Sequence, residues 1–290
     1  MRKTYKVADH LFAIVMPDGA EGWDDMENYE PFVVEDSDDC LFEVEQVDML
    51  PDTSDKVAIT QCCNAPQQPR LDIYEWKGLW LIEVAPVYES PVCLHLLMER
   101  NFSKMQIQID SYWKFSFNLM MKLVFAFATA PLFTLQIHAS VTIKDGKGYV
   151  FMGRSGTGKS THSQLWINNI EGCSLLNDDN PVIRIGEDGV TRVYGTPWSG
   201  KTPCYRNLSV PVGAIVDLHQ AKENAIKRLS AAEAYAAIYV SFTGIKFVKE
   251  LADAYHATNL KLVTTVPFYD LNCLPNADAA FLCYKTVSQQ

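Results

Sequence analysis

No two of the eight cysteines are spaced C-x-x-C, so the chain lacks the short ligand pairs from which a zinc site is built. Cys40, Cys62, Cys63, Cys93, Cys173, Cys204, Cys273 and Cys283 are scattered, and the adjacent Cys62-Cys63 reads as two reduced thiols rather than a strained vicinal disulfide. No repeat of fixed period is present, which excludes solenoid and propeller arrays. The opening MRKTYKVADHLF has basic residues but neither a long apolar stretch nor a small-residue cleavage site, so no leader is expected. One uncharged stretch, Leu123–Ile143, has the length of a membrane span. Pro131 interrupts it, Gln136 and His138 lie within it, and its period changes from helical to alternating near the proline. It reads as a buried helix followed by a buried strand. The expectation is a cytoplasmic protein with no membrane partner.

Positive charge is also scarce. Lys and Arg number 25 against 35 Asp and Glu, a net charge of −10, which argues against a nucleic-acid partner held by phosphate neutralisation. The imbalance is local. Residues 1–60 carry 16 acidic and 4 basic side chains, a net −12, which leaves +2 for residues 61–290. The larger part of the chain can therefore receive an anion without opposing its own field, while the acidic part reads as a solvated surface, a lid or a docking face. With 48% hydrophobic and 21% charged residues in 290, disordered, collagen-like and coiled-coil readings fail and a sizeable core is assured.

Alternating patterns at Leu41–Val47, Leu71–Trp76, Leu79–Val84 and Met105–Ile109 predict strands, with loops at Pro17–Tyr29 and Asn64–Arg70. Trp113, Phe117, Met120, Val124 and Phe127 then repeat at helical spacing until Pro131 stops the pattern, and these aromatics read as core. The domain boundary is expected near residue 108, giving a β-rich acidic amino-terminal domain (1–108) and a second domain (109–290). In the second, a strand over Phe133–Ile143, an Asp145-Gly146-Lys147-Gly148 turn and a strand over Tyr149–Met152 form a hairpin. Further strands are expected at Ser174–Leu176, Val182–Ile185, Val190–Tyr194, Val210–Leu218, Ile226–Leu229 and Val266–Leu271. Helices are expected at Lys159–Asn169, after a Ser230/Glu233 capping box, at Gly244–His256 and at Asp278–Thr286. Strands and helices interleave with several hairpins, so the fold class is α/β with a mixed sheet.

Between the Tyr149–Met152 strand and the Lys159–Asn169 helix lies Gly153-Arg154-Ser155-Gly156-Thr157-Gly158-Lys159-Ser160, a match to G-x-x-x-x-G-K-[ST] in the context that this phosphate-binding loop requires. Glycines let the backbone curl so that its N–H groups point at phosphate oxygens, and the helix start adds a favourable dipole. Lys159 supplies a cation and the Ser160 hydroxyl a ligand for Mg²⁺. The competing reading is a glycine-rich helix cap with a surface lysine. Eighteen residues after Ser160 come Asp178 and Asp179, at the end of a strand able to return beside the loop. One carboxylate can help hold Mg²⁺ and the other can take the proton of an attacking hydroxyl. The alternative is a polar turn leaving the strand. Lys201, on a glycine-containing loop, is a further candidate for clamping a phosphate, and His162 reads as helix surface.

The run H-x-S-V-x-I-K-D-G-K-G-Y-V-F-M-G-R-S-G-T-G-K-S-T from His138 to Thr161, followed by L-L-N-D-D, resembles the HPr kinase/phosphorylase and phosphoenolpyruvate carboxykinase superfamily. The likeness is greatest to its smaller HPr-kinase-like members, and it continues in Gly195-Thr196-Pro197-Trp198 and Val210–Ile238. The resemblance implies a phosphate-loop kinase fold and an ATP-binding set of Gly153, Arg154, Ser155, Gly156, Thr157, Gly158, Lys159, Ser160 and Thr161. It implies that Lys159 and Ser160 bind nucleotide phosphate and Mg²⁺, that Asp178 or Asp179 activates the phosphate acceptor, and that His138 lies at the site. It also makes a homo-oligomer plausible. The expected activity is Mg-ATP-dependent phosphoryl transfer to a hydroxyl or carboxylate of an unidentified small molecule or peptide. An ATP-binding regulatory module and a carboxykinase-like enzyme are the alternatives.

Overall fold

The computed structural model describes residues 1–62, 69–200, 202–244 and 248–289. Cys63, most of the Asn64–Arg70 loop and Lys201 lie outside the described residues. The chain divides into two compact units, Met1–Ala128 and Thr129–Gln290.

The first unit is a nine-stranded mixed sheet and one long helix. In chain order its strands are β1 (Arg2–Val7), β2 (His10–Val15), β3 (Val33–Val34), β4 (Phe42–Gln46), β5 (Val57–Cys62), β6 (Arg70–Trp76), β7 (Leu79–Ala85), β8 (Leu94–Met98) and β9 (Lys104–Ile109), followed by α1 (Trp113–Thr129). The spatial order is β3-β1-β2-β4-β9-β8-β7-β6-β5, with β4 parallel to both β2 and β9 and the other pairs antiparallel. Two hairpins close through two-residue turns with both residues left-handed, Ala8-Asp9 (φ 50° and 61°) and Lys77-Gly78 (φ 48° and 80°), the twist that suits antiparallel strands.

The sequence boundary near residue 108 assigned α1 to the second domain, whereas contacts place nearly all of it in the first unit. The cause is aromatic packing. Phe125 meets His10, Phe12 and Phe42 edge-on at ring distances of 6.1, 6.2 and 6.4 Å, and Phe117 meets Tyr29 at 6.0 Å while stacking on Trp113 at 4.7 Å. Residues Trp113–Leu132 are long and apolar enough to cross a membrane by length and composition, and 67% of the most apolar window is buried within the fold.

In the second unit the strands are β10 (Thr134–Gln136), β11 (Ala139–Lys144), β12 (Lys147–Met152), β13 (Ser174–Asp179), β14 (Val182–Ile185), β15 (Thr191–Tyr194), β16 (Ser209–Gln220), β17 (Ala225–Arg228) and β18 (Phe268–Cys273). The helices are α2 (Lys159–Asn169), α3 (Ala231–Tyr239), α4 (Lys249–Thr265) and α5 (Ala277–Val287). The sheet runs β10-β14-β15-β16-β12-β11-β13, with β18 added to β16 and β17 to β18. The twelve-residue β16 serves two neighbourhoods. Its first residues pair antiparallel with β15, and the rest lies between parallel β12 and parallel β18. Both sheets are mixed, so the α/β reading holds.

One face of this parallel centre is covered by α2 and α5 through Phe151, Trp166, Val216, Leu218, Leu271 and Cys283, all essentially buried. The expected single strand over Phe133–Ile143 is two strands broken at Ile137-His138, and β13 extends through Asp179 rather than ending at Leu176. The Ser230/Glu233 capping box opens α3.

In the first unit, Glu83 on β7 stands opposite His95 on β8. Burial alone would raise the Glu83 carboxyl, but hydrogen bonds from His95 and from the Lys56 ammonium hold it down at about 2. His95 also reaches Asp110 at 3.1 Å, and its hydrogen bond to Glu83 is the main cause of its raised pKa. The signs give a stability window. The Glu83 contribution is complete above about pH 4.5 and is lost as pH falls toward 2, whereas that of His95 is complete below about pH 6.5 and fades as pH rises through its raised value. Glu83→Gln is expected to remove acid sensitivity on the order of 3 kcal/mol from the unfolding of this unit between pH 5 and pH 2. Urea unfolding at both pH values, read for variant and wild type, checks this.

Candidate functional site

The phosphate-loop sequence forms the turn between β12 and α2, and its geometry needs its glycines. Gly153, Gly156 and Gly158 have φ of 144°, 84° and 100°, values that L side chains rarely adopt. At Gly153 a Cβ would also lie 2.9 Å from the Leu218 carbonyl of neighbouring β16. The loop is fastened at several points. The Thr157 hydroxyl donates to the Arg154 carbonyl at 2.8 Å, and Gln220 at the end of β16 donates to the Gly156 carbonyl at 3.1 Å. Gly158 caps α2 with no side-chain hydrogen bond, so the helix presents its first N–H groups without an internal cap.

The Lys159 ammonium folds back over the loop and donates to the carbonyls of Gly153 (3.0 Å) and Arg154 (3.3 Å). Burial pushes its pKa below the ordinary lysine value, while the carboxylates of Asp179 and Asp178 act in the opposite direction. The Ser160 hydroxyl donates to Asp178 Oδ1 at 2.9 Å.

The sheet register accounts for this meeting. Ala139 at the start of β11 pairs with Met152 on one side and with Asp179 on the other. The exit of β12 into the loop, the end of β13 and the residue preceding β11 therefore share one end of the sheet. That preceding residue is His138, whose backbone N–H is held by the Ser241 carbonyl at 2.8 Å and whose Nδ1 lies 2.9 Å from Asp179 Oδ1. The two aspartates thus have different partners, Asp178 the loop hydroxyl and Asp179 the imidazole. Asp179 also accepts from the Asn180 side-chain amide. Its φ of 121° is a strained conformation for a residue with a side chain, costing about 1–3 kcal/mol.

His138, Lys159, Ser160, Asp178 and Asp179 line one cavity of about 640 Å³, together with loop residues, Gly200 and Thr202. A second cavity of about 420 Å³ shares Gly156, Gly158 and Thr161 with the first and is lined beyond them by Thr157, His162, Leu165, Leu218, Gln220 and Pro275 among others. The structure places the loop, the Asp pair and His138 around one cavity; Lys201 is outside the described residues. The fit of the residues to Mg-ATP rests on the curled loop, the uncapped helix start, and the hydroxyl and carboxylate of Ser160 and Asp178 side by side.

His162 departs from its expected surface position. It is buried against Phe151, and its Nε2 accepts from Trp166 Nε1 at 3.1 Å. Burial lowers its pKa to about 4, so it is a neutral core imidazole. The signal was available in the i, i+4 spacing of His162 and Trp166. Sequence reasoning also passed over Asp217, which lies opposite Met152 across β12 and β16. Burial raises its pKa, and it sits 3.2 Å from His219 beside Asp270. A polar residue in the apolar run Ala214–Leu218 was the clue. Asn177 and Thr196, both fully buried, were likewise missed.

No curated protein matches the chain. Among solved structures, the Hpr(Ser) kinase/phosphatase from Coxiella burnetii is similar at 13% identity with a TM-score of 0.33, over 53% of this chain and 88% of that one. A family model described as SynChlorMet cassette protein ScmC matches residues 108–277, from just before α1 to the start of α5 and including the whole loop and Asp pair. That match spans more than half of the sequence, and the chain belongs to the ScmC family.

Proposed function

We propose that this protein is a Mg-ATP-dependent phosphotransferase that moves the terminal phosphoryl group onto a hydroxyl of a small molecule or peptide. The observation that carries the reading is the single cavity in which a phosphate loop faces two aspartates with separate partners. A regulatory ATP-binding module needs the loop, but not an imidazole held by a carboxylate in the same space.

The triphosphate occupies the curled loop and the start of α2, with Lys159 exchanging the carbonyls of Gly153 and Arg154 for phosphate oxygens. The second cavity, where Leu165, Leu218 and Pro275 stand beside the Thr161 hydroxyl and the Gln220 amide, takes the nucleoside. Ser160 and Asp178 would hold Mg²⁺, which would supply charge neutralisation for the phosphate groups when bound. Asp179 accepts a hydrogen bond from His138 Nδ1, which leaves His138 Nε2 as the lone pair that takes the proton of the attacking hydroxyl. Catalysis then rests on positioning and electrostatics, with no covalent enzyme intermediate. The protein works in the cytoplasm, where ATP is abundant.

Lys159→Ala is expected to abolish label transfer from γ-labelled Mg-ATP to acceptors in a cell extract. Label that persists in this variant refutes the assignment, and absence of transfer by the wild type with ATP binding intact favours the regulatory module. Asp179→Asn and His138→Gln are each expected to lower kcat by about 10²-fold while ATP affinity stays near the wild-type value. Asp178→Asn should instead raise the Mg²⁺ concentration needed for half-maximal rate, a difference that a Mg²⁺ titration of all three variants reads directly.

A further inference from the structure

The site rests on a buried polar knot that none of the expected site residues includes. Asn177 and Thr196 are both completely buried. The Asn177 amide nitrogen donates to the Thr196 hydroxyl (3.2 Å) and to the carbonyls of Trp198 (3.1 Å) and Thr196 (3.5 Å). Its amide oxygen accepts from the Asn180 backbone N–H at 3.1 Å. The Thr196 hydroxyl meets the Asn180 carbonyl at 2.8 Å and the Trp198 carbonyl at 3.1 Å, and it accepts from the Trp198 N–H at 3.2 Å. Asn180 is therefore gripped at both its N–H and its carbonyl, one residue beyond Asp179.

The segment that Thr196 opens also grips the Asp pair from outside. Gly200 N–H donates to the Asp178 carbonyl at 2.7 Å, Ser199 Oγ donates to the same carbonyl at 3.1 Å, and Ser199 bridges Asp179 in antiparallel fashion. A Cβ on Gly200 would lie 3.0 Å from the Asp179 Cβ, so the approach is as close as glycine allows.

We infer that Asn177 and Thr196 are positioning residues, which hold Asp179 in its left-handed backbone and so keep its carboxylate on His138. The physical reason is the cost of release. For the Asp179 backbone to relax, Asn180 must give up two hydrogen bonds in a region without solvent, where nothing replaces them. The strained φ at Asp179 persists because both flanks are tied, the Asp178 side by the sheet ladder and the Gly200 N–H, the Asn180 side by the side chains of Asn177 and Thr196. The catalytic part of this inference rests on the phosphotransferase reading. The structural part does not, because it concerns the hydrogen bond between His138 and Asp179 in the protein without nucleotide.

Two readouts separate these parts. In long-range ¹H–¹⁵N spectra of the nucleotide-free full chain, neutral His138, assigned by loss of its signals in His138→Gln, should show the Nδ1–H tautomer. Thr196→Val and Asn177→Ala should shift it toward the Nε2–H form that free histidine prefers. In label transfer, both variants should lower kcat about 10- to 100-fold with the KM for Mg-ATP within about threefold, and Thr196→Ser should restore kcat to within about threefold. Thr258→Val, which removes a buried hydroxyl bonded within α4, controls for general loosening. Gly200→Ala presses on Asp179 from the exposed side without emptying the knot, and carries the test if Thr196→Val fails to fold. An unchanged tautomer in the folded variants overturns the inference, as does a kcat loss matched by Thr258→Val or a loss confined to KM. A tautomer shift with no transfer by the wild type upholds the positioning and refutes the phosphotransferase reading.

Discussion

The site depends on one strand paired on both sides. Because β11 lies between β12 and β13 with Ala139 facing Met152 and Asp179 at once, the loop leaves the sheet where the Asp pair arrives. A shift of one residue in either pairing would turn the Asp side chains to the opposite face and separate Asp178 from Ser160. The register is fixed on the β12 side by the Asp145-Gly146 turn, whose two left-handed residues permit one connection. On the β13 side the pairing is irregular between Val141 and Thr142, and that irregularity realigns the strand before the aspartates.

Much of this was legible from the residues. The Lys159–Asn169 helix was read with the bounds it has, because a glycine-rich loop and the Glu171-Gly172 turn punctuate both ends. Similar punctuation, the Gly186–Gly189 turn, separates β14 from β15, and a capping box opens α3, where the Ser230 and Glu233 side chains each accept from the other's backbone N–H. What escaped notice lacked punctuation. The β1–β2 hairpin turns at Ala8-Asp9, residues that rarely take two left-handed positions, so its strands went unread. Helix α1 was read correctly but assigned to the wrong neighbour, since its period shows an apolar face without showing which sheet covers it.

The candidate site divides in the same way. Loop and aspartates announce themselves through residue type and spacing, and His138 through the family resemblance alone. Asn177 and Thr196 do not, because a buried amide and hydroxyl resemble ordinary turn residues until both are found on the backbone of the same residue, Asn180. His162 shows the opposite error. A polar residue beside a functional loop reads as accessible, yet His162 is buried, with Trp166 one helical turn on donating to its Nε2. Local chemistry is visible in sequence, whereas the partner that satisfies a polar group lies at a distance only the fold reveals.

The resting position of Lys159 changes how its charge should be counted. Its ammonium is already engaged by two carbonyls of its own loop, so an arriving anion exchanges those bonds and does not meet a free cation. The net gain is the difference between a carbonyl and a phosphate oxygen as acceptor, which is smaller than a new ion pair would give. The same arrangement keeps a buried amine from an unmatched state when the loop is empty, and it stores the side chain within reach of the loop. Under the proposed function the lysine therefore contributes readiness more than grip, and tenacity of binding falls to the backbone N–H groups at the start of α2.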